Sequence, residues 1–218
     1  MNTEEKEELK SFNAFALNQL NYTSWPLIPK FLLEDEAFAR ELIELEIHLI
    51  EGAEITDLRS IESLPDEIKD NKTFFMDLLK DLPNSIYGYN LAFLSSRLRD
   101  DEDIVEAFLS NVCDDNSATP FISDRLKSDK KFIFRMVSSG YSIKITHISA
   151  ELRRDREFIL SISEFIGLYQ IPKKLRKDKG ILLKSSKCDI IYVKYLPEEL
   201  RKDYAFIYKS FKCYNKNY

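Results

Sequence analysis

The sequence predicts an all-α protein: a helical-repeat solenoid of about seven short helix-pair repeats behind an N-terminal capping helix. Three observations predict it. A twelve-residue template recurs along the chain, and the apolar residues inside each copy fall at helical spacing. Glycine and proline number only 5 and 7 in 218 residues, too few for the special turns of an all-β fold.

The template reads Ile/Leu, Pro/Ser, two variable residues, Leu, two variable residues, Asp, two variable residues, Phe, aliphatic. Its clearest copies are "ISAELRRDREFI" from Ile148 and "LPEELRKDYAFI" from Leu196. The others are "IPKFLLEDEAFA" from Ile28, "LPDEIKDNKTFF" from Leu64, "LSSRLRDDEDIV" from Leu94, "ISDRLKSDKKFI" from Ile122 and "IPKKLRKDKGIL" from Ile171. Successive starts lie 36, 30, 28, 26, 23 and 25 residues apart, the range of stacked supersecondary units.

The chain opens with "EEKEELKSFNAFALNQL", where Leu9, Phe12, Phe15, Ala16 and Leu20 recur at helical spacing. Residues 1–27 therefore read as a capping helix and residues 28–218 as the repeat array. Within each copy, Pro29, Pro65, Ser95, Ser123, Ser149, Pro172 and Pro197 mark a helix start: proline fits the first turn and serine caps. The Leu/Ile four positions after the template's first residue (Leu32, Ile68, Leu98, Leu126, Leu152, Leu175, Leu200) shares a face with it. Then come Asp35, Asn71, Asp101, Asp129, Asp155, Asp178 and Asp203, all preferred N-caps. Each is expected to end the first short helix and cap a second, a role worth about 1 kcal/mol. Three positions on, Phe38, Phe74, Ile104, Phe132, Phe158, Ile181 and Phe206 plug the second helix into its neighbours. Such a pair cannot bury its apolar faces alone, so the pairs must stack.

This template, with its "LRxDxxFI" kernel, resembles the bacterial and protist repeat family known as domain of unknown function 4116. The resemblance covers residues 28–212 and is strongest from Leu94 onward; Asn71 in place of Asp and "FLLEDEAF" near the start depart from it. It implies an all-helical repeat fold and brings no catalytic residue with it.

Chemistry is sparse. His48 and His147 stand far apart without a neighbour at metal-ligand spacing, and no nucleophile-elbow, phosphate-loop or dinucleotide fingerprint occurs. The aspartate column recurs once per copy along a line, whereas catalysis needs groups converging on a point. No cofactor, metal or enzymatic activity is expected. Cys113, Cys188 and Cys213 lack any C-x-x-C spacing, the acidic start resembles no leader, and no apolar run suits a membrane span. The expected setting is the reducing cytoplasm.

Charge is the strongest remaining signal. The net −5 divides into −16 over residues 1–115 (26 Asp+Glu, 10 Lys+Arg) and +11 over 116–218 (11 against 22). An extended repeat surface of this kind suits a protein partner. Glu41, Glu44, Asp57, Asp100, Asp103, Asp114 and Asp115 would face a basic protein, as an inhibitor or immunity protein does. The basic counterpart is Arg153, Arg154, Arg176, Lys177, Arg201 and Lys202; with Arg156, Lys173, Lys174 and the tyrosines Tyr169, Tyr192 and Tyr195 it would also suit nucleic acid. Salt-dependent head-to-tail self-association is a third expectation.

Overall fold

The computed structural model describes residues 28–50, 58–82, 86, 88–110, 118–141, 143–185 and 196–215. The capping helix expected over 1–27, together with Asp57, Asp114, Asp115, Cys113, Cys188, Tyr192 and Tyr195, lies outside the described residues. Every regular element among the described residues is helical. The chain divides into two compact units, Met1–Phe121 and Ile122–Tyr218.

In unit 1, α1 (Lys30–Leu33) is followed by α2 (Glu36–Ile50), and α3 (Arg59–Ser63) leads into α4 (Asp66–Lys69) and α5 (Lys72–Asp81). A 3-10 segment, Gly88–Phe93, precedes α6 (Ser96–Arg99) and α7 (Glu102–Ser110), and a 3-10 turn, Thr119–Phe121, closes the unit. The first helix of each copy is one turn long because its start and its stop are both written into the template. Ser95 Oγ accepts from Leu98 N, while Pro29 and Pro65 hold φ at −57° and −62° one residue before the helix. Proline thus occupies the cap position itself rather than the first helical turn. At the other end Asn71, at φ −89° and ψ 99°, leaves the helical region and restarts the chain as α5.

The second helices bury two adjacent rows: Phe74, Phe75, Leu78 and Leu79 on α5, and Ile104, Val105, Phe108 and Leu109 on α7. Burying each such side chain contributes about 1.5–3 kcal/mol. Phe74 and Phe75 meet edge to face at 5.2 Å. The wide first spacing holds the 15-residue α2 and the extra α3, joined by a buried polar contact. The Glu46 carboxylate, fully buried, accepts from Ser60 N at 2.9 Å and Ser60 Oγ at 2.5 Å. Nearby, buried Asn90 accepts from Leu58 N at 3.3 Å through its side-chain oxygen.

Unit 2 repeats the scheme with α8 (Asp124–Ser128) and α9 (Lys130–Ser138), then α10 (Ala150–Arg154) and α11 (Arg156–Ile162). It continues through α12 (Lys179–Ser185) to α13 (Glu198–Arg201) and α14 (Tyr204–Asn215), with 3-10 turns at Ile145–His147, Leu168–Gln170 and Lys173–Leu175. Asp129 and Asp155 are each at once the C-cap of one helix and the N-cap of the next, with ψ of 109° and 105°. In the sixth copy the first helix tightens to the 3-10 turn Lys173–Leu175, and Leu175 is only half-buried. Gly140, at φ +85°, ends α9: Gly140 N donates to Val137 O and Tyr141 N to Met136 O, the Schellman pair.

Candidate functional site

The cap column is the most regular polar feature of the chain, and it is built from both carboxylate oxygens. One oxygen caps. Asp35 accepts from Phe38 N at 3.0 Å, Asn71 from Phe74 N at 3.1 Å and Asp129 from Phe132 N at 3.1 Å. Asp101 accepts from Asp103 N and Ile104 N at 3.0 and 3.2 Å, and Asp178 from Gly180 N and Ile181 N at 2.9 and 3.1 Å. Asp155 and Asp203 accept from Phe158 N and Phe206 N, each at 3.0 Å.

In Asp101, Asp155, Asp178 and Asp203 the other oxygen reaches the preceding copy. Lys72 Nζ donates to Asp101 at 2.8 Å, Lys130 Nζ to Asp155 at 2.5 Å, Arg156 Nε to Asp178 at 2.5 Å and Lys179 Nζ to Asp203 at 2.7 Å. Each donor is the residue immediately after its own copy's cap. One copy therefore hands a cation to the next copy's cap, forming rungs inside each unit. At the first rung the polarity is reversed. The cap is Asn71, its amide Nδ2 donates to Glu36 Oε1 at 2.8 Å, and Glu36 occupies the place held elsewhere by Lys or Arg.

These contacts hold the carboxyls of Asp101, Asp155, Asp178 and Asp203 below their ordinary range. For Asp155 and Asp203 the lysine rung is the main cause and the backbone cap bond the second. For Asp101 and Asp178 burial pushes upward, and the rung and cap bonds together outweigh it. Lys72 and Lys130 are correspondingly held above the usual lysine value by their aspartates. Sequence reasoning missed the rung residues. A signal was present: the residue after the cap reads Glu36, Lys72, Glu102, Lys130, Arg156, Lys179 and Tyr204, with acid ahead of Asn71 and base ahead of Asp101, Asp155, Asp178 and Asp203.

The paired basic columns separate into two roles. Arg176 turns back, its Nε donating to Ile171 O at 2.8 Å and its Nη2 to Tyr169 O at 2.9 Å. Arg201 Nε does the same to Leu196 O at 2.8 Å. Arg153 is half-buried, and its Nε is enclosed without a hydrogen-bond partner, as is that of Arg99. Arg176 and Arg201 thus each bind the carbonyl of the residue that begins their own copy. The neighbouring Arg154, Lys177 and Lys202 are exposed, and Lys202 pairs with Glu198 at 2.9 Å.

The residue just before the cap reads Glu34, Asp70, Asp100, Ser128, Arg154, Lys177 and Lys202, and this change of sign along the chain has a partial structural cause. In unit 1, Asp70 accepts from the Ser95 hydroxyl and from Arg97 Nε at 3.0 Å, which lowers its carboxyl, Ser95 first and Arg97 second. Ser95 N also donates to Lys69 O at 3.1 Å. In the copies that follow Arg154 and Lys177, the serine is replaced by Pro172 and Pro197, which offer neither hydroxyl nor N–H. An acid in that column then has no partner of this kind.

Among the acidic candidates, Glu41 is exposed and Asp100 half-buried. Glu44 pairs with Arg40 at 2.8 Å, and Arg40 also reaches Asp81 at 2.9 Å. Asp103 pairs with Lys72 at 2.6 Å. His48 belongs to α2. His147 is half-buried with its Nδ1 enclosed and unpartnered; burial, then Lys144, Lys127 and Arg153, holds its pKa below the ordinary value. An open groove of about 440 Å³ in unit 2 runs between α9 and α11, floored by Phe134 and Phe158, and Phe134 meets Phe165 edge to face at 6.1 Å.

Residues 116–121 carry no charge, so the −16 and +11 halves coincide with units 1 and 2. Among the described residues no group of three or more His, Cys, Asp or Glu could hold a metal ion, and no helix is long and apolar enough to cross a membrane. Comparison with protein-family models, curated proteins and solved structures returns no match. Fold and columns together define a helical protein whose polar regularities tie consecutive copies of one motif.

Proposed function

We propose that the chain is a non-catalytic protein-binding module, a solenoid of about seven helix pairs of the kind its resemblance implies, working in the cytoplasm. The observation that carries this reading is the division of charge by unit. The cap carboxylates are engaged in caps and rungs, yet unit 1 still exposes Glu41, Asp66, Glu67 and Asp77. Unit 1 thus presents exposed acids suited to a basic protein in the manner of an inhibitor or immunity protein.

The test is capture from the source cell's lysate by the tagged full chain at low salt, with and without nuclease. A near-stoichiometric basic protein that survives nuclease, and is lost with Glu41→Lys/Asp66→Lys/Asp77→Lys, supports the reading. Material lost on nuclease treatment refutes it. That outcome would favour nucleic-acid binding by the exposed Arg154, Lys177 and Lys202 of unit 2.

A further inference from the structure

Helix α14 has two faces of opposite character. Inward, Phe206 and Ser210 are buried; Ser210 Oγ donates to Phe206 O at 2.9 Å, and Lys179 lies 5.7 Å over the Phe206 ring. Outward, Tyr204, Tyr208 and Phe211 are 82%, 61% and 53% exposed. They stand at i, i+4 and i+7, one stripe of the helix. Half of the exposed large hydrophobics among the described residues lie on this one helix.

The register gives the stripe its meaning. Tyr204 holds the place after the cap, from which Lys130, Arg156 and Lys179 donate to the next copy's aspartate. Tyr208 holds the place of Phe134, which floors the groove with Phe158 of the following copy. Leu160 and Leu183, in the same column, are half-buried. This is the side of the motif by which one copy meets another, and α14 shows it to solvent. A large aromatic side chain buries about 150–250 Å² when covered, so three form the centre of an interface.

Charge identifies the occupant. Residues 204–218 contain Lys209, Lys212 and Lys216 and no acid, and Lys212 Nζ sits 4.7 Å over the Tyr208 ring. The place after the cap donates to a carboxylate in the inner rungs, and the Tyr204 hydroxyl is itself a donor. The chain carries acidic side chains of its own in unit 1, whose sequence totals −16 and where Glu41, Asp66, Glu67 and Asp77 are exposed.

We propose that the outer face of α14 docks on the acidic unit 1 of a second copy of this chain, head to tail, which rests on the reading of unit 1 as a surface for basic partners. The contact is heterologous, so it can propagate beyond a dimer. The aromatics supply the buried area, and the lysines and acids supply attraction that salt weakens.

Sedimentation velocity of the full chain, under reducing conditions, tests it at about 50 mM and about 500 mM salt, where the Debye length is about 14 and about 4 Å. At low salt the mass rises above 25.6 kDa with concentration, and at high salt it returns to that value. Tyr208→Ser/Phe211→Ser stays monomeric at low salt, as does Glu41→Lys/Asp66→Lys/Asp77→Lys. Tyr169→Ser, which removes an aromatic 57% exposed outside α14, still assembles. A wild-type chain that is monomeric at low salt overturns the proposal, and so does assembly that survives loss of Tyr208 and Phe211. If that monomer still captures a basic protein through its acidic surface, only the second-copy proposal has failed. If the charge-reversed chain captures as well as wild type, the binding reading has failed too.

Discussion

Replacing Asn71 by aspartate would install the residue that the other six copies carry at the cap. By cap preference alone the change is neutral, because Asn and Asp cap equally well. The structure reverses that expectation. Asn71 Nδ2 donates to Glu36 Oε1 at 2.8 Å, so Asn71→Asp loses this bond and sets two carboxylates face to face. A net hydrogen bond contributes about 0.5–1.5 kcal/mol, and two like charges at about 4 Å cost about 1 kcal/mol in water. With relaxation of these solvent-facing side chains, the loss should be about 1–2 kcal/mol. Urea unfolding followed by far-ultraviolet circular dichroism at low salt would read it. Glu36→Lys added to Asn71→Asp rebuilds the rung seen at Lys72–Asp101 and should recover most of the loss, a coupling of about 2 kcal/mol in the double-mutant cycle. The reasoning is refuted if Asn71→Asp equals or exceeds wild type, or if the double variant is no more stable than the single.

Two further outcomes follow from the same geometry. Asp70, Asp101, Asp155, Asp178 and Asp203 are all held below their ordinary value of 3.8, so their contribution is fully present above it and lost as pH falls below it through the folded values. Urea midpoints should slip as pH falls below 6.5, where the unfolded chain protonates His147 and the folded chain resists it, and then drop steeply below about 4; no further drop between about pH 4 and about 2.5 would contradict the ladder. Gly140→Ala meets no atom within 4 Å, so its cost is the backbone's alone, about 1 kcal/mol for an L side chain at φ +85°. A thermal midpoint unchanged by that substitution would show that α9 ends in some other way.

What was legible in the sequence were the columns, because each one answers to a local rule. Ser95 and Asp155 cap the helix that begins beside them, within three residues, and Leu98 and Phe158 fall on the buried face by helical periodicity alone. The contacts between copies were hidden. Lys72–Asp101, Lys130–Asp155 and Arg156–Asp178 join residues 29, 25 and 22 positions apart, and no fixed spacing reveals them until the copies are stacked. The same holds for Asp70 with Ser95, and for Glu46 with Ser60 in a part of the chain where the template is silent.

Among the candidate binding residues the same boundary applies. Charge made Arg153, Arg176 and Arg201 look like Arg154, Lys177 and Lys202. Only the folded chain shows that Arg176 and Arg201 turn back to the carbonyl that begins their copy, that Arg153 is half-buried, and that Arg154 and Lys177 stand exposed. The sequence by itself determined the helix starts, stops and apolar faces, since these depend on neighbours along the chain. Tertiary structure alone decided the partner of each charge, because a charged side chain pairs through space with whatever the packing brings within reach.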